Sequence, residues 1–354
     1  MFYGSLWRLY WFLVVSSVTL LITVAYYTWY DIKEETLSES TYALKLISRS
    51  AHDQLRQQAA MLKILGRRLI DIGVFENIVD SKKLMDEILS DNPVFIAYGL
   101  ATTSGDLVIT SSNLNPETLP NLLQNPQSEE SFRKALLRDN LTLGRTYYYE
   151  PLEDWIIPLR YAVRNKEGVP VAVVATAISL TSKHNPWKMM EQSDHIYIVV
   201  TKAPTDNNEY YTQYADPPLF PDSIENTYDN PYPQDAIENN KNAIATQSGM
   251  DFESFMSSEE IIQYEFFDPW LDQESIDIII YNNEFEIFTS LSHEYTLITD
   301  KYYKTSLKYV LLFLLFNLIL FYLIRYIDRI QSTSKQVLQF QATHDQLTSL
   351  PRAC

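Results

Sequence analysis

Three features are scarce in this 354-residue sequence: cysteine, glycine and positive charge. The single cysteine, Cys354, excludes an internal disulfide and a cysteine-based metal cage. The eight glycines form no run that could cradle phosphate groups. Acidic side chains outnumber basic ones by 45 to 28, and their excess lies between residues 31 and 308. Nucleic acid is therefore not an expected partner, because binding its phosphates requires positive charge.

Motifs of common catalytic sites are also missing. The sequence has no Gly-x-x-x-x-Gly-Lys, no Gly-x-Ser-x-Gly and no His-Glu-x-x-His. Its histidines are too scattered to suggest a set of metal ligands: they are His52, His184, His195, His293 and His344. We therefore expect no catalytic residue and no metal site in this chain.

Two apolar segments are long enough to cross a membrane. Residues 9–29 carry no charge and have aromatic side chains at both ends, which is typical of a span between two headgroup layers. Residues 309–327 are apolar up to Arg325, which can reach the interface. A cleaved signal peptide is the alternative for the first segment, but bulky tyrosines follow Ala25, where small residues would be expected.

Basic residues set the predicted orientation. Arg8 precedes the first span, and Arg325, Arg329 and Lys335 end or follow the second, so both ends should be cytoplasmic. The acidic middle would then lie in the periplasm of a bacterium, anchored in its inner membrane. The predicted segments are a cytoplasmic N-terminus (1–8), a transmembrane helix (9–29), two extracytoplasmic modules (30–186 and 187–306), a transmembrane helix (309–327), a signalling helix (328–341) and a final segment (342–354).

Residues 31–71 predict a long helix. They hold one glycine, no proline and leucines or alanines at multiples of seven, as in Leu44, Ala51 and Leu65. This apolar stripe has two interpretations: it packs on its own domain, or it forms the stalk of a homodimer. Both can hold on different faces of the helix.

The following residues predict a small α+β module. Strands are expected at 94–101 and 107–111, a helix at 128–138, and strands at 145–150, 155–164 and 169–180. Residues 194–298 predict a second, smaller copy, with strands at 195–201, 209–214, 276–281 and 286–290. The fold class is therefore α+β, with two transmembrane helices flanking the extracytoplasmic part.

The stretch Trp155-Ile-Ile-Pro-Leu-Arg-Tyr-Ala-Val-Arg-Asn-Lys-Glu-Gly168, followed by a second apolar strand, resembles the closing hairpin of the Cache family. Cache domains are PAS-like extracytoplasmic domains that bind ligands. The resemblance implies a double-Cache arrangement, with the first module far from the membrane, and a small-molecule ligand outside the cell.

Aromatic side chains and one arginine suggest where that ligand binds. The candidates are Tyr147, Tyr149, Trp155, Arg160 and Tyr161. Aromatic walls with one cation suit a small anion, and we expect Arg160 to be an exposed pocket residue. Strand alternation places Trp155 and Tyr161 opposite Arg160, so a common pocket would need Pro158 to interrupt the strand. The alternative is that the aromatic residues are simply core.

Amino-acid-binding Cache domains carry an Arg-x-Trp-Tyr element and a later aspartate. This sequence lacks the element and has Ala177 in place of the aspartate. The resemblance therefore does not extend to amino-acid binding of that type.

The last residues resemble the opening of a GGDEF domain, the diguanylate cyclase module. The matching motif is His344-Asp-x-Leu-Thr-x-Leu-Pro351, that is His344, Asp345, Leu347, Thr348, Leu350 and Pro351. A histidine-kinase phosphoacceptor box fits less well, because proline follows Leu350 rather than Thr348. GTP and Mg²⁺ are cofactors expected only of an intact GGDEF domain. Its catalytic loop is not within these 354 residues, so we expect the chain itself to be inactive.

Together these features predict a membrane-bound ligand sensor that regulates cyclic di-GMP signalling. Two alternatives remain open at this point. The chain could be a non-enzymatic receptor that dampens full-length cyclases by forming heterodimers. It could also be the sensor half of a histidine kinase or a chemoreceptor.

Overall fold

The computed structural model describes residues 3–115, 119–188, 196–204, 207–220, 223–268 and 273–343. The GGDEF-like motif, His344 to Pro351, lies outside these residues, as does His195 at the start of one predicted strand.

Helices and strands follow in chain order. The helices are α1 (Tyr3–Ile72), α2 (Ile78–Asp91), α3 (Glu129–Leu137), α4 (Ile224–Tyr228), α5 (Gln234–Ser248), α6 (Phe252–Ser258) and α7 (Tyr295–Thr343). The strands are β1 (Phe95–Ala101), β2 (Leu107–Thr110), β3 (Thr142–Leu143), β4 (Tyr147–Tyr149), β5 (Asp154–Arg164), β6 (Pro170–Ser179), β7 (Ile196–Lys202), β8 (Tyr211–Asp216), β9 (Ile262–Asp268), β10 (Gln273–Asn282) and β11 (Ile287–Glu294). A 3₁₀ turn at Glu150–Leu152 joins β4 to β5.

The chain divides into two compact units, Leu37–Tyr295 and the combination of Met1–Thr36 with Thr296–Cys354. In the unit formed by Met1–Thr36 and Thr296–Cys354, the apolar parts of α1 and α7 pair with each other. Ser17 and Asn317 are joined by a hydrogen bond in which the Asn317 Nδ2 donates at 3.3 Å, and Trp29 packs edge-on against Tyr302. Both helices are long and apolar enough to cross a membrane, and almost none of their apolar windows is buried.

The Leu37–Tyr295 unit contains two antiparallel sheets of the same strand order. The first sheet runs β2-β1-β6-β5-β3, with β4 also pairing β5, and the second runs β8-β7-β11-β10-β9. Each sheet therefore places its first and last strands side by side and its penultimate strand next to the last. The α+β class predicted from the sequence is confirmed.

The long helix α1 carries the apolar stripe predicted from the sequence. The stripe residues Leu44, Leu55, Leu62, Leu65 and Leu69 are fully buried, in one cluster with residues of both sheets. The stripe thus packs on its own unit, which confirms one of the two interpretations.

Gly66 explains how closely α1 approaches the first sheet. A Cβ atom added to Gly66 would stand 2.3 Å from Val163 Cγ2 and 2.9 Å from Val174 Cγ2. Both distances are below van der Waals contact, so the lone glycine of this helical stretch is required by packing rather than by flexibility.

The segment between β8 and β10 contains elements for which the sequence analysis gives no prediction. The chain forms α4, α5, α6 and the additional edge strand β9 there. The reason is tertiary: the apolar residues of α5 and α6, such as Ile244 and Phe255, become regular only by packing against the second sheet.

Candidate ligand-binding site

The first cavity, as we name it, lies on the face of the first sheet that is turned away from α1. It has a volume of ≈ 60 Å³. Its lining comes from the sheet, from the 3₁₀ turn and from the loop after β2: Ala97, Tyr98, Gly99, Leu107, Thr110, Leu114, Leu119, Leu122, Tyr147, Tyr149, Leu152, Ile156, Pro158, Arg160, Ala175, Thr176 and Ala177. Most of these side chains are apolar, which is typical of a small-molecule pocket.

Arg160 is the charged residue of the first cavity. It lies on β5 and is only 2% exposed, so the expectation of an exposed pocket cation was wrong. Helix α3 packs over this part of β5, and the Arg160 Nη1 donates a short hydrogen bond to Ser131 Oγ on that helix. Burial lowers the pKa of Arg160, and the neighbouring Tyr147 hydroxyl counteracts part of that shift.

Tyr147 and Tyr149 provide hydroxyl groups beside this guanidinium. Alternation along β4 turns both side chains to the cavity side, and their rings contact each other edge-on at 6.2 Å. Burial raises the pKa of both phenols, although the Arg160 charge opposes the shift. Both hydroxyls therefore remain protonated at neutral pH and can donate hydrogen bonds to a ligand.

Trp155 and Tyr161 do not line the first cavity. They belong to β5 but alternate with Ile156, Pro158 and Arg160, and β5 pairs with β6 without a register shift at Pro158. Tyr161 joins the core beneath α1, and Trp155 packs against Tyr148 and Tyr228. The proline interruption that would have united all five candidates is absent from this described strand.

Acidic side chains are absent from the described lining of the first cavity. Ala177 lies there, at the position where an amine-binding aspartate would be expected by resemblance. Within the described part of the chain, Arg160 also makes no ion pair, and its Nε has no hydrogen-bond partner. The site thus presents a buried positive charge and no negative one.

Sequence reasoning missed two residues that shape this site. Ser131 is the partner of Arg160, and Gly144 leaves the space that the guanidinium occupies: a Cβ added to Gly144 would stand 2.7 Å from Arg160 Nη1 and 2.6 Å from Pro158 Cγ. The one sequence signal for Gly144 is its position shortly before the three consecutive tyrosines of β4.

The strand β4 also connects the first cavity to the second sheet. Directly before it, the Thr146 hydroxyl donates to Gln213 O at 2.7 Å, and Arg145 lies 3.6 Å from Asp229. Beside it on β5, Trp155, which pairs with Tyr148, contacts the Tyr228 ring at 5.4 Å between centroids. These contacts join β4 and its neighbouring residues to β8 and α4.

The searched part of the chain contains no group of three or more His, Cys, Asp or Glu residues that could hold a metal ion. The prediction of no metal and no cofactor stays a prediction.

No family model matches this sequence, and no curated protein matches it significantly. Solved structures do match its fold. The extracellular domain of the proposed histidine kinase rpHK1S-Z16 aligns with a TM-score of 0.52 at 11% identity, over 75% of this chain and 97% of that one. The chain therefore has the α+β fold of an extracellular, Cache-like sensor domain.

Two further structures align with lower scores. The ligand-binding domain of the Campylobacter jejuni chemoreceptor Tlp3 in complex with L-norvaline has a TM-score of 0.49 at 12% identity, covering 76% of this chain and 94% of that one. The sensor domain of the V. cholerae histidine kinase DctB has a TM-score of 0.44 at 12% identity, covering 74% and 98%.

Proposed function

We propose that this protein is a membrane-anchored extracytoplasmic sensor that binds a small anionic metabolite in the first cavity. The observation that carries this proposal is Arg160, a guanidinium that is almost completely buried and has no carboxylate partner in the described chain. A buried charge is costly unless a charge of opposite sign pairs with it. An anionic ligand would supply that charge.

The surrounding groups favour a carboxylate or a similar planar anion. The guanidinium can donate two parallel hydrogen bonds to such a group, and the protonated hydroxyls of Tyr147 and Tyr149 can add others. The apolar remainder of the lining suits a short hydrocarbon body. A free amino acid suits the cavity less well, although Tlp3 was crystallised with L-norvaline, because Ala177 offers no partner for an ammonium group.

Anchoring and output extend the proposal beyond the ligand. The apolar parts of α1 and α7 would cross the inner membrane with both chain ends in the cytoplasm, which their length and composition support. The resemblance of residues His344 to Pro351 to the opening of a GGDEF domain supports control of cyclic di-GMP synthesis.

A second output fits the fold equally well. Because the aligned extracellular domain with a TM-score of 0.52 comes from a proposed histidine kinase, the chain could be the sensor half of a kinase or a chemoreceptor. Detecting cyclic di-GMP changes in cells on ligand addition would favour the first output, and phosphotransfer from a linked kinase domain the second.

A homodimer is part of the same proposal. Helix α1 exposes Tyr42, Leu46 and Ile64, with exposures of 66%, 49% and 59%. Leu46 and Ile64 are 18 residues apart, which is five helical turns, and Tyr42 is about one turn from Leu46. These side chains therefore share a face, separate from the buried leucine stripe, that a second α1 could cover.

The ligand proposal is tested by thermal shift on the full chain in detergent, with succinate, benzoate and 3-phenylpropionate as probe anions. A ligand at about 100 times its dissociation constant stabilises by about 2.7 kcal/mol. Arg160→Met should abolish the shift, since losing one partner of a buried ion pair costs roughly 2–5 kcal/mol of binding. The unliganded melting temperature should stay level or rise, because an apolar side chain of similar length replaces an unpaired buried charge.

The matched control is Arg133→Met, which removes an exposed arginine from α3 of the same module and should leave the shift intact. No shift with any probe anion in the wild-type protein, or an unchanged shift in Arg160→Met, would refute the anion site.

A further inference from the structure

A groove between α1 and the second sheet, which we name the α1 groove, lies apart from the first cavity. Its volume is ≈ 440 Å³, against ≈ 60 Å³ for the first cavity. Residues 45–56 of α1 form one wall, and residues 280–284, at the end of β10 and in the turn to β11, form the other. Glu259, directly after α6, completes the lining. A groove of this volume is typical of a site for a small molecule.

The α1 wall of the groove presents positive charge. Lys45, Arg49, His52 and Arg56 follow one another at intervals of four, three and four residues, so they share one face of the helix. Lys45 and Arg49 are exposed, and neither forms an ion pair with a residue that the structure describes. Acidic side chains outnumber basic ones in this protein, so these two cations lack a partner although carboxylates are plentiful.

Arg56 is held in place by the opposite wall. Its Nε donates a hydrogen bond to Glu284 Oε2 at 2.8 Å, and the other oxygen of Glu284 accepts one from Asn140 Nδ2 at 3.0 Å. The charge of Glu284 is therefore already matched by protein groups. The Nη atoms of Arg56 donate no hydrogen bond to a described residue, so they are available to a ligand.

His52 belongs to the same fixed network. Asn282 Oδ1 accepts a hydrogen bond from the Phe285 backbone N–H at 3.1 Å, so its Nδ2 is the donor towards His52 Nδ1, at 2.7 Å. A ring nitrogen that accepts a hydrogen bond carries no proton, so the proton of the neutral ring is on Nε2, which faces Glu284 Oε2 at 3.4 Å. His52 and Asn282 thus position the walls, and the cations that remain for a ligand are Lys45, Arg49 and Arg56.

We propose that the α1 groove binds a small anion with two or more negative charges, a phosphate ester or a polycarboxylate, through Lys45, Arg49 and Arg56. Guanidinium and ammonium groups are the usual protein partners of such anions. A ligand bound there would join α1 to the turn between β10 and β11. The site does not depend on the anion site of the first cavity, which suits a smaller ligand.

The test is isothermal titration of the full chain in detergent, at pH 7 and low ionic strength because salt screens exposed charges. The probes are pyrophosphate and citrate, which distinguish phosphate from carboxylate charges, and at least one should bind the wild-type protein. The double variant Lys45→Gln with Arg49→Gln should weaken that binding about tenfold, because two of the three ion pairs with the anion are lost. Both side chains are exposed, so its melting temperature should stay near that of the wild type.

The matched control is the double variant Lys63→Gln with Arg67→Gln. It removes the same two residue types at the same spacing from an exposed part of α1 that does not line the groove, and should bind the probes as the wild type does. Glu259→Gln removes a like charge from the groove and should strengthen binding about threefold. Arg160→Met should leave binding of these probes unchanged, which separates this site from the first cavity.

Four outcomes would overturn the proposal. They are no binding of either probe to the wild-type protein, equal losses in the two double variants, weaker binding in Glu259→Gln, and loss of binding in Arg160→Met. The last of these would assign the probes to the first cavity, whereas the others would leave the proposed function of that cavity untouched.

Discussion

The two sheets share one strand order but differ in the charges that they bury. The first sheet buries Arg160 on β5, whereas the second buries both Asp277 on β10 and Lys202 on β7. Strands β5 and β10 are equivalent, since each is the penultimate strand of its sheet and lies beside the last one. Arg160 and Asp277 each lie on a sheet face partly covered by a helix, α3 in one case and α5 in the other.

This comparison indicates that one strand order tolerates different buried charges at equivalent positions. Next to β4, Thr146 and Arg145 connect the two sheets through their contacts with Gln213 and Asp229. Three predictions break or sharpen the comparison, beginning with the largest expected effect.

The largest expected effect is a loss of folding stability at acidic pH, and it comes from a histidine of the second sheet. His293 on β11 is fully buried on the core side, with neither ring nitrogen bonded to a described residue, and burial lowers its pKa to about 4 from 6.5. Between pH 6.5 and 4 the unfolded chain therefore binds more protons than the folded one. Stability should fall as the pH drops through this window, by on the order of 3 kcal/mol.

Thermal melting of His293→Leu between pH 7 and pH 4 tests this. The variant should lose much less stability on acidification than the wild-type protein, because no proton uptake then distinguishes its two states at this position. His184→Leu changes an exposed histidine and should keep the wild-type slope. Parallel acid curves for His293→Leu and wild type would show that other groups govern the acid response.

Much of the fold that these experiments probe could be predicted from local patterns. The leucine stripe of α1 and the strands of the first sheet follow from the periods of apolar residues, and alternation alone separated Arg160 from Trp155 and Tyr161. Such patterns are local, so they survive without knowledge of the tertiary structure.

What could not be predicted depends on contacts between distant segments. The burial of Arg160 requires α3 to cover β5, and nothing in the strand sequence distinguishes a covered arginine from an exposed one. The second sheet left one unused signal, Asp277 within the otherwise apolar run of β10. The burial of this aspartate becomes visible only when α5, which the sequence did not reveal, covers that face.

The next effect concerns packing of α1 on the first sheet. Gly66→Ala should destabilise the protein by about 1–3 kcal/mol, because its Cβ would overlap Val163 and Val174, and this outweighs the roughly 1 kcal/mol that alanine gains in helix propensity. Thermal melting measures the loss. The double variant Gly66→Ala with Val163→Ala removes the overlapping methyl group and should be less destabilised than the sum of the single changes. Simple addition of the two losses would mean that the overlap is not the cause.

The smallest expected change in binding concerns the first cavity and leaves its buried charge in place. Gly144 has an ordinary backbone conformation, so alanine is not strained there by its φ angle; the obstacle is space, since the new Cβ would stand 2.6 Å from Pro158 Cγ, 2.7 Å from Arg160 Nη1 and 2.8 Å from Ser131 Oγ. The Arg160 guanidinium is the flexible end of its side chain and should move away, which misaligns it with an anion. We expect Gly144→Ala to raise the dissociation constant of a bound anion about tenfold, equivalent to about 1.4 kcal/mol. The melting temperature should also fall, because the Pro158 ring is held in β5 and cannot turn aside as the guanidinium can. An unchanged dissociation constant in a folded Gly144→Ala protein would mean that the position of the Arg160 guanidinium does not govern anion binding.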